Sequence, residues 1–261
     1  MSDLMQGKVA VITGGAAGFG LESARKFVAN GAKVVVVDIH EDAGRAVEAE
    51  LGGAVRFVRA DVRREADMRA AVDVAVTQFG GLDVMYHNAG TVGSAGGVDE
   101  ISVEDWNAAM EMLQTATMIA IKVAVAPMKA RGKGSIILTS SAAGVALGGS
   151  GPYAYTIAKS SVCMMGRYAA LKLGRHNIRV NTIVPGAFKT ALWEKHDLGQ
   201  GMMAADNFAR MQPLPIAGNP RYIADAALFL ASDMSEFVSG VVLPVDGGLT
   251  LHRNSHSSVE G

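Results

Sequence analysis

Two side chains on one predicted helix have the spacing of a proton-transfer pair. Tyr155 and Lys159 are four residues apart, so on a helix both leave the same face, one turn apart. A free tyrosine has a pKa of about 10 and is idle near neutral pH, but a cation held against the phenol lowers that pKa. Ser141, one loop upstream, could hold a substrate oxygen between its own hydroxyl and that of Tyr155. These three residues are the candidate catalytic group.

A glycine-rich turn far upstream indicates phosphate binding. Gly14, Gly18 and Gly20 lie between the first predicted strand and the first predicted helix, which is the setting of a dinucleotide-binding turn. Gly14 would permit the tight turn, Gly18 the close approach of a pyrophosphate, and Gly20 the close packing of the helix on the sheet. The free amides and partial positive charge of the helix N-terminus favour a nucleotide cofactor. A purely structural turn is the alternative.

Asp38 ends the second predicted strand, where an acid binds the adenosine ribose of a dinucleotide. Its carboxylate can accept both ribose hydroxyls and would repel a 2′-phosphate. Neither Ala17 nor Ile39 provides a cation that could hold that phosphate. The sequence therefore favours NAD over NADP, with a cap for the helix predicted at Asp42–Leu51 as the alternative role of Asp38.

The rest of the pattern predicts how these residues come together. Apolar β-branched runs alternate with alanine-rich segments of helical periodicity. This alternation predicts an α/β fold, a single doubly wound Rossmann-type domain over residues 1–261, with about seven parallel strands and helices on both faces. The predicted strands are Lys8–Thr13, Lys33–Asp38, Val55–Ala60, Leu82–His87, Ser135–Thr139, Ile178–Val184 and, at the edge, Val241–Val245. The predicted helices are Phe19–Asn30, Asp42–Leu51, Glu65–Phe79, Val103–Ala130 and Ala154–Gly174.

Two segments depart from this alternation. Residues 186–219 contain no clear strand and predict helical segments and loops that form a substrate lid. The polar residues 252–261 predict a frayed tail.

Composition narrows the class of protein. The chain is 49% hydrophobic with a net charge of −1 and interspersed charges, which gives no electrostatic reason to bind nucleic acid or an anionic membrane. The N-terminus lacks the order of a signal peptide, and no apolar run approaches the roughly 20 residues that span a bilayer. Cys163 is the single cysteine, and the six histidines form no metal-ligand cluster. We therefore expect a soluble, cytoplasmic protein without a metal.

Taken in order, the motifs resemble those of the short-chain dehydrogenase/reductase family, in its compact form, from Gly7 to about Gly248. The motifs that carry the resemblance are Thr13–Gly20, Asp61-Val62, Asn88-Ala-Gly90, Ser141, Tyr155 with Lys159, Asn181, and Pro185-Gly186 with Thr190. The resemblance implies that Tyr155 takes or returns the alcohol proton while hydride passes to or from a nicotinamide cofactor. It also implies that Lys159 binds the nicotinamide ribose and lowers the pKa of Tyr155, and that Ser141 orients the substrate oxygen.

The resemblance further implies a cofactor site and an assembly. Asp61 and Val62 would bracket the adenine, and the chain after Pro185 would hold the nicotinamide carboxamide. A homotetramer is implied, built on the helices at Val103–Ala130 and Ala154–Gly174. The implied cofactor contacts are Gly14, Gly18, Phe19, Gly20, Asp38, Ile39, Asp61, Val62, Asn88, Ala89, Gly90, Tyr155, Lys159, Pro185, Gly186, Phe188 and Thr190.

Two residues depart from the family pattern. His87 stands where the family usually has the first of two asparagines before Ala-Gly. Leu113 falls where most members carry a helix asparagine that holds a water behind the lysine, while Gln114 would point about 100° away. Either the proton leaves by another path or turnover is impaired, and we expect an active enzyme because Ser141, Tyr155 and Lys159 are retained.

Apolar residues near the lid suggest the substrate. Tyr153, Trp193 and Phe208 are candidate substrate contacts, with a wall residue as the alternative for Tyr153 and an oligomer contact as the alternative for the lid residues. We expect a hydrophobic, cyclic or terpenoid secondary alcohol or its ketone. Two alternatives remain open: a 3-oxoacyl-thioester reductase of the same family, and an NAD-binding scaffold with little catalysis, which Leu113 alone favours.

Overall fold

A sheet of seven parallel strands lies at the centre of the computed structural model, which describes residues 3–93, 96–146, 151–188 and 209–251. The strand order is β3-β2-β1-β4-β5-β6-β7, and every pair of neighbours runs parallel. The strands are β1 (Val9–Thr13), β2 (Lys33–Asp38), β3 (Val55–Arg59), β4 (Val84–His87), β5 (Gly134–Thr139), β6 (Ile178–Pro185) and β7 (Val242–Val245). The predicted doubly wound α/β fold is confirmed, and each predicted strand lies within two residues of an observed one.

Helices cover both faces of this sheet. They are α1 (Gly18–Ala29), α2 (Glu41–Leu51), α3 (Glu65–Phe79), α4 (Val103–Met110), α5 (Ala116–Arg131), α6 (Tyr153–Leu173) and α7 (Pro220–Ala231). Strand residues alternate between the two faces. Val9 and Val11 join a buried cluster with residues of α3, α5 and α6, whereas Ala10 and Ile12 pack with residues of α1, α2 and α7.

Helix α7 is an element that the periodicity did not predict, although its start carries two clear signals. Asn219 caps the helix by accepting a hydrogen bond from the amide of Arg221 at 3.0 Å, and Pro220 occupies the first turn. Its buried residues, such as Ile223 and Ala227, pack against α1. The helix directly follows residues 186–219, which show no clear strand pattern in the sequence. Its helical periodicity therefore does not stand out from that segment.

The predicted helix at Val103–Ala130 is interrupted. A π-helical turn, Glu111–Thr115, separates α4 from α5. Among the described residues, the helix Val103–Arg131, taken as a whole, is long and apolar enough to cross a membrane, which the sequence did not lead us to expect. However, 44% of its apolar stretch is buried inside the protein. This is also the pattern of a core helix, and by itself it is weak evidence for a membrane.

The sheet order fixes where a site can form. Strand β1 pairs with β2 on one side and with β4 on the other, so the chain reverses direction of winding at that point. In open α/β sheets ligands bind in the crevice outside the carboxyl ends of the strands at such a switch point. The predicted site residues follow the carboxyl ends of β1 to β6, and they therefore share this edge.

Candidate active site

In the glycine turn after β1, close contacts leave no room for a side chain at Gly14 or Gly20. Gly14 has a φ of 63°, and a Cβ at this position would lie 2.9 Å from the Cα of Ala89. A Cβ at Gly20 would lie 2.1 Å from the carbonyl oxygen of Gly14, so Gly20 packs against the turn itself rather than against the sheet. Gly18 has a φ of 53° with open space around the Cβ position, as the approach of a pyrophosphate requires.

Thr13 ties this turn to the end of β4. Its Oγ1 accepts hydrogen bonds from the amides of Asn88 and Ala89, both at 3.1 Å, and lies 3.0 Å from Nδ1 of His87. Because two amides occupy the lone pairs of the hydroxyl, its hydrogen is left to donate to Nδ1. The hydrogen-bond network therefore assigns the His87 proton to Nε2.

His87 is neutral as well as buried. Its side chain is 3% exposed, and burial, together with the positive charge of Lys159, lowers its pKa to about 3. The histidine in place of the usual asparagine thus acts as a hydrogen-bond acceptor for Thr13. It adds no positive charge to the site near neutral pH.

Asn88 and Asp38 complete the cofactor side of the crevice. The Nδ2 group of Asn88 donates to the carbonyl oxygens of Thr13 and Gly14, each at 3.3 Å. Asp38 is 10% exposed at its side chain, and its Oδ2 accepts from the amide of Ala16 at 3.2 Å. Asp38 therefore sits against the glycine turn, as a ribose acid should.

The other oxygen of Asp38 is used by a neighbour. Oδ1 accepts from the amide of His40 at 3.1 Å and lies 2.8 Å from its Nδ1. His40 occupies the N-cap position of α2, which has no side-chain cap, so the alternative role of Asp38 as a helix cap is not observed. The exposed ring of His40 must turn away if Oδ1 is to bind a ribose hydroxyl.

The proposed adenine contacts are partly occupied. Val62 is buried, whereas Asp61 forms an ion pair with Arg63, whose Nη2 lies 2.6 Å from Oδ2. The hydrogen bonds from Arg63 hold the pKa of Asp61 below its usual range. An adenine amino group would share this carboxylate with Arg63. Ile39, the remaining predicted contact on this side, is 57% exposed.

Helix α6 presents Tyr155 and Lys159 towards the end of β5. Nζ of Lys159 donates to the carbonyl oxygen of Thr139 at 2.8 Å and lies 5.9 Å from the centre of the Tyr155 ring. Ser141 follows β5, lies close enough to Tyr155 to act on its pKa, and accepts a bond from the amide of Ala143 at 3.3 Å. The structure thus brings the three predicted catalytic residues together.

Burial dominates the electrostatics of this group. Burial raises the pKa of Tyr155, and the hydrogen bond with Ser141 acts in the opposite direction. Burial also lowers the pKa of Lys159 to about 8. The ammonium group of Lys159 is bound to the carbonyl of Thr139 and lies beside the Tyr155 ring, and burial is the largest influence on the pKa of the phenol. Near neutral pH Tyr155 is therefore a phenol, the form that donates a proton.

Leu113 occupies the space behind Lys159. A Cβ built at Gly90 would be 3.4 Å from both Cδ2 of Leu113 and Nζ of Lys159, so those two atoms are at most twice that distance apart. Leu113 lies in the π turn and is 1% exposed, and its carbonyl oxygen accepts from Thr117 Oγ1 at 2.7 Å. A buried leucine side chain thus stands where the family has an amide.

The segment after β6 packs on the glycine turn. A Cβ at Gly186 would lie 2.7 Å from the Cα of Asp246, so Pro185-Gly186 is pressed against the end of β7. Phe188 is 4% exposed, and its ring meets the ring of Phe19 edge to face at 5.0 Å. Both predicted phenylalanine contacts therefore lie together beside the cofactor crevice.

The predicted substrate residues are described only in part. Tyr153 packs on Trp106 of α4, with ring centres 5.4 Å apart, which is the position of a wall residue between two helices. Trp193, Phe208 and the cofactor contact Thr190 lie outside the described residues. Their roles remain predictions.

Comparison with known proteins identifies the family. The family model described as "Enoyl-(Acyl carrier protein) reductase" matches residues 14–250. The chain belongs to the short-chain dehydrogenase/reductase family. A solved structure of a short-chain type dehydrogenase/reductase from Mycobacterium ulcerans is similar to it with a TM-score of 0.88 and 33% identity, covering 95% of this chain and 91% of that one.

Two curated relatives of this chain are named as dehydrogenases. A 3-alpha-(or 20-beta)-hydroxysteroid dehydrogenase of Mycobacterium bovis is 39% identical, over 100% of this chain and 96% of the relative. A 2,5-dichloro-2,5-cyclohexadiene-1,4-diol dehydrogenase of Sphingobium indicum is also 39% identical, over 96% and 99% of the two chains. These matches support an oxidoreductase with a nicotinamide cofactor. The open approach to Gly18 and the placement of Asp38 fit such a group.

Proposed function

We propose that this protein is an NAD-dependent dehydrogenase that interconverts a hydrophobic, cyclic secondary alcohol and its ketone. The observation that carries the proposal is the placement of Tyr155 beside the buried ammonium group of Lys159, with Ser141 close enough to act on the phenol. The substrates named for the two relatives, a hydroxysteroid and a cyclohexadienediol, are cyclic alcohols. These names support the proposed substrate class.

The side chains have separate roles in this reaction. When bound, the cofactor takes hydride from the alcohol carbon or returns it to the ketone. Ser141 donates its hydroxyl hydrogen to the substrate oxygen and orients it. In reduction Tyr155 gives its phenolic proton to that oxygen, and its raised pKa keeps this proton in place near neutral pH. In oxidation the phenolate takes the proton back, and the positive charge of Lys159 stabilises it.

NAD rather than NADP is proposed because of Asp38. Its carboxylate lies against the glycine turn, bound to the amide of Ala16, so a 2′-phosphate placed there would face a negative charge. Arg59 is aligned with Asp38 in the pairing of β2 and β3, but its guanidinium group is 3.9 Å from Glu41. This ion pair turns the cation towards another carboxylate.

The decisive experiment replaces the proton donor. The purified protein is screened with NAD against cyclic, aryl and steroid alcohols, and the best substrate is tested with Tyr155→Phe. We expect kcat to fall by about 10² or more, because a positioned acid–base group contributes about 10² to 10⁴ in rate, while NAD affinity changes little. Tyr153→Phe, two positions earlier on α6, is the matched control and should retain most activity. Undiminished oxidation by Tyr155→Phe would remove the mechanism.

The same assays separate the alternatives. A 3-oxoacyl-thioester reductase would reduce an acetoacetyl thioester with NADPH faster than any alcohol in the panel is oxidised. A scaffold with little catalysis would bind NAD but turn over none of the substrates in either direction. The homotetramer and the cytoplasmic location remain predictions.

A further inference from the structure

A second cavity lies beside the carboxyl ends of β6 and β7. Its volume is about 560 Å³, within the range of small-molecule sites. The described residues that line it do not include Ser141, Tyr155 or Lys159. Most of its walls are apolar side chains, among them Phe188, Leu214, Ile216, Tyr222, Pro244 and Leu251.

One polar group in this wall is incomplete. Gln212 is 7% exposed, and its Oε1 is the one buried side-chain oxygen or nitrogen without a hydrogen-bond partner among the residues that the structure describes. Its Nε2 donates to the carbonyl oxygen of Ile216 at 2.6 Å. That bond fixes the orientation of the amide, because turning it over would place two oxygens against each other. The group that is left without a partner is therefore an acceptor.

The side chain of Gln212 cannot easily turn away to find another partner. Gly247 has a φ of 63°, and a Cβ at that position would lie 2.6 Å from Cγ of Gln212. The amide of Leu214 also donates to the carbonyl oxygen of Gly247 at 3.0 Å. The turn after β7 thus holds the stem of Gln212 in place.

The amides of Gly248 and Thr250 in this turn are already engaged with Asp246. The carboxylate of Asp246 accepts from the amides of Gly248 and Thr250 at 2.9 and 2.8 Å, and from the hydroxyl of Thr250 at 2.7 Å. A water bound to Gln212 Oε1 would need further polar partners, which the mainly apolar walls supply poorly. A molecule with a carbon frame and one donor satisfies both the walls and the amide.

We propose that this cavity is a second binding site, which takes an uncharged, mainly apolar alcohol whose hydroxyl group donates to Oε1 of Gln212. The ligand is uncharged because Asp246, the charged residue among the described lining residues, already accepts hydrogen bonds within its own turn and is not left to pair with a ligand cation. The site is distinct from the Tyr155 group. The exposed apolar side chains at its rim, Leu214, Ile216 and Leu251, allow such a molecule to enter.

The test uses a pair of probes that differ in one hydrogen-bond donor. Binding of 2-naphthol and of 2-methoxynaphthalene is measured by fluorescence titration with the wild-type protein. We expect 2-naphthol to bind about tenfold more tightly, the effect of one buried hydrogen bond. In Gln212→Met, which keeps the length of the side chain but removes the acceptor, this preference should fall to less than about threefold. Gln78→Met, at a surface glutamine bound to Arg56, is the matched control and should keep it.

Two further measurements make the outcome decisive. The preference for 2-naphthol should persist in Tyr155→Phe. If Tyr155→Phe loses this preference while Gln212→Met retains it, the hydroxyl binds at the catalytic group and the proposal fails. A crystal structure of the wild-type protein with 2-naphthol should place its oxygen within hydrogen-bond distance of Gln212 Oε1, even if Gln212→Met does not fold. A cavity filled by a second copy of the chain, with no probe in it, would overturn the proposal.

Discussion

The buried neutral histidine at the end of β4 makes the stability of the protein sensitive to acid. The pKa of His87 is lowered from 6.5 to about 3 by burial and by Lys159. Between these two values the unfolded chain binds a proton that the folded protein excludes, so the free energy of unfolding falls as the pH falls. The contribution of His87 is complete above the unfolded pKa and is lost progressively towards the folded one.

The size of the effect follows from the same two values. From about pH 7 to about pH 5, the unfolded histidine becomes protonated while the folded one does not, and this removes about 2 kcal/mol of stability. The estimate barely depends on the folded pKa, provided that it stays below about 4. We therefore compare His87→Asn, which restores the residue usual in the family, with the wild-type protein at both pH values.

The measurement is urea denaturation followed by tryptophan fluorescence, at one protein concentration, so that any oligomer affects all samples equally. The loss of stability between the two pH values should be about 2 kcal/mol smaller in His87→Asn than in the wild type. His176→Asn is the control, at a partly exposed histidine whose pKa is lowered by partial burial and by Lys129 and Arg175; it should change the loss of stability by much less than His87→Asn does. Equal losses in wild type and His87→Asn would refute the reasoning, because His87 would then titrate in the folded state.

Three more predictions concern the cofactor, the π turn and the assembly. The kcat/KM of the wild type should be more than about tenfold higher with NAD than with NADP, a difference of about 1.4 kcal/mol. Asp38→Ala should reduce this preference, and equal kcat/KM values with both cofactors in the wild type would contradict the role of Asp38. Leu113→Asn should lower the free energy of unfolding by about 1–3 kcal/mol, because it replaces a buried leucine with an amide that must find hydrogen-bond partners, whereas Leu113→Met should cost less; a more stable Leu113→Asn would contradict this prediction. The wild type should sediment as a tetramer at micromolar concentration, and Leu171→Glu, on the exposed apolar face of α6 with Tyr168, should weaken it; a wild-type monomer would contradict the prediction.

Local patterns predicted the elements well and the contacts between them less well. The β-branched runs and the glycine turn mark β1, β2 and α1 directly, because strand and helix periodicities are properties of adjacent residues. The bond from Thr13 to His87 joins residues 74 positions apart, and no periodicity reports it. The spacing predicts that Lys159 lies beside Tyr155, and its role comes from the family resemblance, whereas its hydrogen bond to Thr139 depends on the depth at which β5 and α6 pack.

The remaining differences have similar causes. The π turn lies between two helices of regular periodicity, and nothing in the sequence marks it. Counting the family spacing from Trp106 therefore identifies Leu113 but does not show that the helix widens there. The orphaned oxygen of Gln212 arises from a turn after β7 that closes over a segment preceding α7. Such features depend on tertiary packing, which only the folded chain defines.

The packing of α1 under α7 has a consequence for synthesis of the chain. Helix α1 is made early, and its buried residue Phe27 belongs to a cluster with Ile223 and Leu228 of α7. An ion pair between Lys26 and Asp225 joins positions 199 residues apart. Until the last helix leaves the ribosome, the apolar face of the first is therefore uncovered, and the nascent chain exposes a surface on which aggregation can begin. A nonsense or frameshift mutation before Pro220 would leave the glycine turn and the Tyr155 segment in the chain, yet remove the cover that the first helix needs.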